Sequence, residues 1–559
     1  MVNQAATGAN TKVRVRLTPW TLAAIALALV FLAPILAVFA AATGDSGGLW
    51  DHLFRTVFPR YVANTLTLMA GVGCVSLLFG VTTAWVVHRY RFPGKAILEW
   101  MLILPLAVPT YLIAYTYTDF LEYAGPLQQS LRDIFGWQNA RDYWFPEIRS
   151  MEGASLVLGA VLYPYVYMMA RTAFLLTPAA LFEAGMLANR NLFFRVAIPL
   201  ARPAIVAGLA LVLMETISEF GAVEYFAIET ITLGIFNVWL GMNSLPAAAQ
   251  IASVSTLFVV VLLCIELLAR SRRQFTNTSR KTTTLATSRV DGLGAAACVA
   301  ICMTPVTVGF LVPAGILLGF ILQGHSLQFG DAVLSASLHS IALASAVAVF
   351  VIVSSAFLGL VAHYEGGTPL KRLTALASIG YAFPGTILAI GVITVGGAID
   401  DGIAAIIENT FEIPYEGWLT GGIGLVAIAC TVRFQAVGYG AITTGLQRLP
   451  PNMMNASRVL GRSFMQSLRD VILPLLRLPL ITGGLLVFVD VMKELPMTLL
   501  LRPFNYETLA TYVYQFAKDE LLEEAALPAL FIVLVGVLPV IAMNAILRRI
   551  ARQEPPPAG

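Results

Sequence analysis

The chain has 559 residues, of which 58% are hydrophobic and only 12% are charged, and its formal net charge is +3. Soluble globular proteins carry about 25% charged residues, and one core cannot hide this much apolar surface from water. The composition therefore excludes a soluble globular protein and predicts an integral membrane protein. The five cysteines all fall in apolar runs, which favours packing residues over a disulfide framework or a soft-metal pair.

Twelve apolar runs are long enough to cross a bilayer, since about 20 helical residues span its ~30 Å hydrocarbon layer. They predict an all-α integral membrane protein. The predicted spans cover residues 19–42, 62–87, 97–118, 154–175, 203–222, 250–269, 294–322, 338–362, 373–397, 419–441, 476–492 and 527–547. The first run follows Lys12, Arg14 and Arg16 and is too long for a cleaved signal peptide, so we expect it to remain as a span.

Lysine and arginine are concentrated in alternate loops, which predicts that these loops are cytoplasmic. The basic residues include Arg89, Arg91, Lys95, Arg190, Arg195, Arg202, Arg280, Lys281, Lys371, Arg372, Arg433, Arg448, Arg458, Arg462 and Arg549. The intervening loops are acidic, and loop 398–418 holds five acids without any lysine or arginine. Both termini are therefore predicted to be cytoplasmic.

Shifting the chain by 275 residues aligns its rare features. Matched pairs are Pro109 with Pro384, His88 with His363, Pro199 with Pro474, Glu215 with Asp490 and Glu219 with Glu494. Each repeat holds six spans, an even number, so the two halves are parallel repeats related by a pseudo-twofold axis. The predicted organisation is a tail 1–17, a first transmembrane domain 18–269, a linker 270–292, a second transmembrane domain 293–548 and a tail 549–559.

Paired carboxylates lie near the periplasmic end of the fifth span of each half: Glu215, Glu219, Asp490 and Glu494. Ionisable side chains at membrane depth usually face a cavity, and a spacing of four residues places each pair on one helical face. We expect them to line the translocation path or its outer gate, where oxygen ligands favour a hard cation. The alternative is interfacial carboxylates that pair with Lys493 or dock a receptor. Pro109 and Pro384 are expected at kinks or helix ends.

Each half has a long basic loop before its fifth span. The first loop runs from Thr177 to Asn191 and on to Pro199, and the second runs from Leu449 to Phe464 and on to Pro474. Each pattern predicts a helical segment begun by proline, a turn, and a second segment stopped by proline before the membrane. Such a helix pair can present one face to a partner, although it could also simply lie on the bilayer surface.

These loops resemble the Glu-Ala-Ala loop of ATP-binding-cassette importer permeases. The matching positions are Glu183, Ala184, Gly185, Asn189 and Pro199 in the first loop, and Asn455, Ala456, Ser457, Gly461 and Pro474 in the second. The first loop is three residues shorter, and Ala188 or Asn189 stands where the family has glycine; asparagine can also make a positive-φ turn. The resemblance implies the type I importer permease fold and docking of both loops on ATPase subunits.

The strings Glu219–Phe226 and Lys493–Phe504 are similar to those of fused permeases of ferric-iron importers. The resemblance implies Fe³⁺ as cargo, a periplasmic ferric-binding protein as receptor, and two ATPase subunits that hold ATP and Mg. Fused permeases for thiamine or aminoethylphosphonate share the layout and remain alternatives. A gradient-driven secondary transporter is an alternative of another class.

No ATPase motif is recognisable in the chain itself. The nearest candidate, around Gly94 and Lys95, lacks the upstream glycine and the following hydroxyl of a phosphate-binding loop. No His/Cys cluster has metal-ligand spacing, so no permanent metal site is expected. We therefore expect a transport subunit rather than an enzyme, with no cofactor of its own, surrounded by lipid and without a nucleic-acid partner.

Overall fold

The computed structural model describes residues 18–271, 287–324, 330–411, 415, 417, 419–447, 449–450 and 452–553. The predicted tail 1–17 with its three basic residues, most of the linker 270–292, and the last six residues of the tail 549–559 lie outside the described residues. So do Arg448 and two of the acids assigned to loop 398–418, Glu412 and Glu416.

The described chain is helical apart from one short parallel pair of strands, β1 (Tyr90–Arg91) and β2 (Ser288–Arg289). The first half contains α1 Pro19–Ala41, α2 Leu49–Thr56, α3 Phe58–Arg89, α4 Lys95–Met101, α5 Thr110–Leu121, α6 Pro126–Phe135, α7 Met151–Leu176, α8 Ala179–Leu187, α9 Ile198–Ser218, α10 Gly221–Tyr225, α11 Ile231–Phe236 and α12 Leu245–Ser271. The second half contains α13 Leu293–Val306, α14 Val312–Leu322, α15 Asp331–Tyr364, α16 Gly367–Ala377, α17 Gly385–Phe411, α18 Gly424–Gln447, α19 Met453–Val459, α20 Phe464–Ser467, α21 Leu473–Met492, α22 Pro496–Leu501, α23 Leu509–Lys518 and α24 Ala526–Gln553. Short 3₁₀ turns cover Leu104–Ala107, Gly380–Ala382 and Leu522–Ala525, and π-helical turns cover Phe193–Ala197, Asn237–Gly241, Thr307–Leu311 and Leu468–Ile472.

Within the described ranges, eleven helices are long and apolar enough to cross a membrane, and a pair bent by 91°, Lys95–Ala107 with Thr110–Phe135, supplies a twelfth span. The predicted all-α fold with twelve spans is confirmed. The third and ninth predicted spans are wrong in detail, because both are interrupted at the repeated prolines. Pro109 directly precedes α5, and Pro384 directly precedes α17, so that 367–377 forms a separate helix. Proline has no N–H to donate and starts a helix at no cost, which confirms the prediction that both mark helix ends.

The acidic segment 398–418 is largely helical, contrary to the predicted loop. Helix α17 continues to Phe411 and carries Asp400 and Asp401. Asp400 then accepts hydrogen bonds from the Thr420 amide (2.8 Å) and hydroxyl (2.7 Å). The end of an apolar run marks where lipid contact ends, and a helix can extend beyond that point.

The first span of each half packs against the opposite half. Helix α1 lies along α17, where Gly391 contacts the backbone of Pro34 so closely that a Cβ would overlap the Pro34 carbonyl oxygen. The turn between α13 and α14 lies on α7, with Gly309 against the carbonyl oxygen of Ala160. The two halves are therefore interlocked, and the space between them is enclosed by both.

Candidate functional site

A cavity of about 130 Å³ lies between the two halves, and all four predicted path carboxylates line it. The first half supplies Glu215 from α9 and Glu219 just after it, and the second supplies Asp490 from α21 and Glu494 just after it. Other lining residues are Pro109, Thr110, Tyr111, Tyr165, Tyr381, Arg433 and Lys493. Residues 275 positions apart thus meet in one space, as expected for a path on a pseudo-twofold axis.

Glu219 and Glu494 do not continue the fifth spans, and the predicted shared helical face is wrong. Helix α9 ends at Ser218 and α21 ends at Met492. The Glu219 carboxylate accepts a hydrogen bond from the Ala222 amide (2.9 Å), at the start of α10, and another from the Thr110 hydroxyl. These bonds explain why a charged group stays at this depth, since each unpaired N–H of a helix start needs an acceptor.

Glu494 has the same role in the second half. Its carboxylate accepts hydrogen bonds from the amides of Met497 (3.2 Å) and Thr498 (3.1 Å), and from the Thr498 hydroxyl (3.2 Å). It therefore begins α22 as Glu219 begins α10. Sequence reasoning missed this capping role, although the signal was present: a carboxylate three residues before the first free amides, at matched places in both repeats.

Arg433 is the functional residue that the sequence misplaced. It was counted with the basic cytoplasmic loops although it falls within the predicted span 419–441; it lies inside α18, is only 9% exposed, and its Nη1 is 3.4 Å from Oε1 of Glu494. Counting arginines by loop assumes that a charge cannot stay in a span, and a buried carboxylate partner removes that restriction.

The remaining carboxylates differ in their partners. Asp490 Oδ1 is 3.0 Å from Nζ of Lys493, so the alternative of pairing with Lys493 holds for this acid. Glu215 makes no ion pair or hydrogen bond with any residue of the described ranges. The cavity thus has four acids and two bases, a net negative charge when all are ionised. No three His, Cys, Asp or Glu residues in the described part of the chain are grouped to hold a metal ion.

The second docking loop forms a short helix closed by a glycine turn. Asn455, Ala456 and Ser457 lie in α19, and Gly461 has φ +87°. The Gly461 amide donates to the Arg458 carbonyl (3.0 Å), and the Arg462 amide donates to the Ser457 carbonyl (3.3 Å). A left-handed residue that ends a helix in this way satisfies carbonyls that would otherwise be unpaired.

The first docking loop repeats this turn with asparagine in place of glycine. Glu183, Ala184 and Gly185 lie in α8, and Asn189 has φ +46°. The Asn189 amide donates to the Met186 carbonyl (3.0 Å), and the Arg190 amide donates to the Gly185 carbonyl (3.0 Å). The expectation that asparagine makes this positive-φ turn is confirmed.

The three-residue difference between the loops falls after the turn, away from the docking helices. Four positions separate Asn189 from the π-helical turn beginning at Phe193, and seven separate Gly461 from the one beginning at Leu468. The second loop uses the extra residues for α20, whose start is capped by Ser463. The turns that close the two helices therefore have the same hydrogen-bond pattern.

The sequence predicted that Pro199 and Pro474 stop a helix before the membrane. Neither proline does so. In each half the chain enters the fifth span through a π-helical turn, in which Ile198 N donates to Phe193 O and Leu473 N donates to Leu468 O. The proline follows as the second residue of α9 or α21. Proline is tolerated there because the first amides of a new helical segment need no helical acceptor.

Both docking helices end on apolar side chains that the described residues leave exposed. Leu187 is 90% exposed, and Val459 and Leu460 are 86% and 83% exposed. Leu187 and Val459 hold the same position relative to their turns. Isolated exposed apolar residues are common, but a matched pair at the tips of two equivalent helices indicates a surface for a partner.

Comparison with known proteins is consistent with this geometry. Residues 355–553 match the family "Binding-protein-dependent transport system inner membrane component". An Fe(3+)-transport system permease of Haemophilus influenzae is 22% identical over 509 residues, which are 88% of this chain and 91% of that protein. A molybdenum transport system permease of Escherichia coli is 29% identical over 39% of this chain and 96% of its own length. A sulfate transport system permease of Salmonella typhimurium is 30% identical over 37% of this chain and 74% of its own length. The chain therefore belongs to the family of binding-protein-dependent transport system inner membrane components, as a multi-pass ATP-binding-cassette importer permease with two fused halves.

Proposed function

We propose that this chain forms the path of a ferric-iron importer and takes Fe³⁺ from a periplasmic ferric-binding protein. The observation that carries the proposal is the cavity between the halves, with four carboxylates against two bases. Such a space attracts a hard cation, because carboxylate oxygens are hard ligands and the net charge is negative. The long similarity to an Fe(3+)-transport permease supports the same cargo.

Molybdate and sulfate are disfavoured as cargo, although permeases named for molybdenum and sulfate transport are among the relatives. An oxyanion would meet Glu215, which forms no ion pair within the described ranges, in a cavity where acids outnumber bases. Like charges at close distance in a site of low dielectric are strongly repulsive. Thiamine and aminoethylphosphonate stay as alternatives to be tested by competition. Membership of the importer family leaves no support for a gradient-driven transporter.

In the proposed mechanism, energy comes from two ATP-binding-cassette ATPase subunits that bind ATP and Mg, and the chain does not hydrolyse ATP. Both termini and both docking loops face the cytoplasm. Helices α8 and α19 each bind one ATPase subunit, with Leu187 and Val459 as apolar contacts. Closure of the ATPase pair moves the loops, and the halves open toward the receptor to accept the ion. Hydrolysis then returns the inward-facing state.

The proposal is tested by ATP-dependent uptake of ⁵⁵Fe³⁺ into proteoliposomes that contain this chain, its ATPase and its receptor. We expect accumulation that needs both ATP and receptor, with no competition from thiamine, molybdate or sulfate. Receptor-stimulated ATP hydrolysis without iron uptake would overturn the iron assignment and leave the importer assignment intact.

A further inference from the structure

The two sides of the cavity differ in charge. In the second half each acid has a base: Glu494 lies 3.4 Å from Arg433, and Asp490 lies 3.0 Å from Lys493. In the first half neither Glu215 nor Glu219 forms an ion pair among the described residues; Arg433 acts on Glu215 only from beyond ion-pair distance, and only neutral groups donate to Glu219. The first half therefore carries the net negative charge of the cavity.

The charge asymmetry can be traced to one pair of equivalent positions in the two repeats. Directly before the docking turns the two halves match at a shift of 272 residues, as Asn189 with Gly461, so the position equivalent to Arg433 in the first half is Val161, which is buried. The fold thus tolerates an apolar side chain at this place on the span. A buried ion pair is often no more stable than an apolar replacement, because removing two charges from water costs as much as their attraction returns. Stability alone does not explain the arginine.

Glu494 does not need Arg433 to satisfy its oxygens. Both oxygens already accept hydrogen bonds from the Met497 amide and from the amide and hydroxyl of Thr498. Nor is Arg433 fully satisfied, because its buried Nε has no partner among the described residues. A buried charge with spare donors beside a cavity suggests a role directed at the cavity.

A second buried polar group lines the same space. Tyr111 is 4% exposed, and its hydroxyl has no hydrogen-bond partner among the described residues. A phenolic oxygen is a hard donor atom like a carboxylate oxygen. Tyr111 lines the same cavity as Glu215 and Glu219 and belongs to the first half.

We propose that Arg433 is a tethered counter-ion that keeps the second-half side of the path neutral, so that a trivalent cation is held only by oxygens of the first half. The inference rests on the proposed function and identifies a residue that sets the affinity of the path. Four free carboxylates would hold a trivalent ion too tightly for release. With Arg433 in place, the net negative charge of the cavity is large enough to bind the ion and small enough to allow its release.

The test measures binding of Tb³⁺, a hard trivalent probe, to the purified full-length chain in nanodiscs. Tb³⁺ luminescence is excited through nearby tyrosines, and Tyr111, Tyr165 and Tyr381 line the cavity. The cavity signal is the part lost in Glu215→Gln. We expect Arg433→Gln to raise Tb³⁺ affinity at this site at least tenfold, and Arg433→Lys to leave it within about threefold of the original chain.

Two further variants keep the test decisive. In Arg433→Gln/Glu494→Gln the charge removed from the arginine is balanced, so affinity should return toward the original value even if the single variant folds poorly. Lys493→Gln should raise affinity in the same direction as Arg433→Gln. Equal Tb³⁺ affinity in the original chain, Arg433→Gln and the double variant would overturn the inference. Because Tb³⁺ binding needs neither receptor nor ATP, a chain that shows the shift but imports no iron would contradict the proposed cargo alone.

Discussion

Asn189 and Gly461 occupy the same position in the turns that close the two docking helices, with φ +46° and φ +87° and matching backbone hydrogen bonds. The two turns belong to loops of different length, yet the helix before each turn ends two residues ahead of it, at Leu187 and at Val459. If both loops dock as proposed, docking requires a left-handed residue after the helix and tolerates three extra residues further on.

Replacing Gly461 with valine should uncouple ATP hydrolysis from uptake. No atom lies within 4 Å of a Cβ at this position, so the effect comes from the backbone: a β-branched residue at positive φ costs about 1–2 kcal/mol. Uptake and ATPase rate in proteoliposomes check this, and uptake should fall at least fivefold. Gly461→Asn is the matched control, since asparagine already serves at position 189, and it should retain most of the uptake. Equal loss in both variants would contradict a conformational role.

Charging the tips of the docking helices should weaken assembly with the ATPase. Leu187→Glu and Val459→Glu each place a carboxylate where an apolar contact is expected, and desolvating it costs several kcal/mol. We expect at least tenfold loss of ATPase affinity in each, measured by co-purification and titration. Ile134→Glu is the control, because Ile134 is 74% exposed on α6, away from both docking helices. Loss of ATPase binding in the control as well would indicate general misfolding instead.

The interlocked halves should depend on close backbone contact at Gly391. A methyl group there would overlap the Pro34 carbonyl oxygen, which forces α1 away from α17. Overpacking of this kind costs about 1–3 kcal/mol, so Gly391→Ala should lower the Tm of the detergent-solubilised chain by several degrees. Gly397→Ala on the same helix has open space around it and should leave the Tm unchanged. A Tm unaffected by Gly391→Ala would mean that α1 does not pack on the second half.

A contact between the halves should hold them together on the side of the cavity away from the docking loops. The Tyr514 hydroxyl donates to Oε2 of Glu224 (2.7 Å), across the two repeats. Removing this hydrogen bond in Tyr514→Phe should shift the equilibrium between joined and separated halves toward the separated state by about 1 kcal/mol, roughly fivefold. We expect faster receptor-independent ATP hydrolysis in reconstituted complexes. Tyr512→Phe on the same helix is the control and should leave the rate of ATP hydrolysis unchanged, because the Tyr512 hydroxyl donates to no residue of the described ranges.

Several parts of this architecture could be predicted from the sequence because they follow from local rules. Span number follows from apolar length, and the breaks at Pro109 and Pro384 follow from the missing amide of proline. The positive-φ turn at Asn189 follows from the tolerance of asparagine for that conformation.

Other parts could not be predicted because they depend on tertiary partners. Counting charges groups Arg433 with the cytoplasmic loops, whereas the predicted span 419–441 contains it; its contact with Glu494 explains how the charge stays in the span. The packing of the first span of each half against the opposite half could not be predicted either, because the sequence of an apolar span does not indicate which half it contacts. The end of α9 was missed by four residues because a capping glutamate looks like one more residue of the span, whereas α21 ends at Met492 as predicted.

The most direct test of the central claim is the ratio of iron imported to ATP hydrolysed in Glu215→Gln. Glu215 lines the cavity and forms no hydrogen bond or ion pair in the described ranges, so Glu215→Gln should not disturb packing. We expect receptor-stimulated ATP hydrolysis to stay within about twofold of the original chain while ⁵⁵Fe³⁺ uptake falls at least tenfold. Unchanged iron uptake in this variant and in Glu215→Gln/Asp490→Asn would contradict a carboxylate-lined path for a ferric ion.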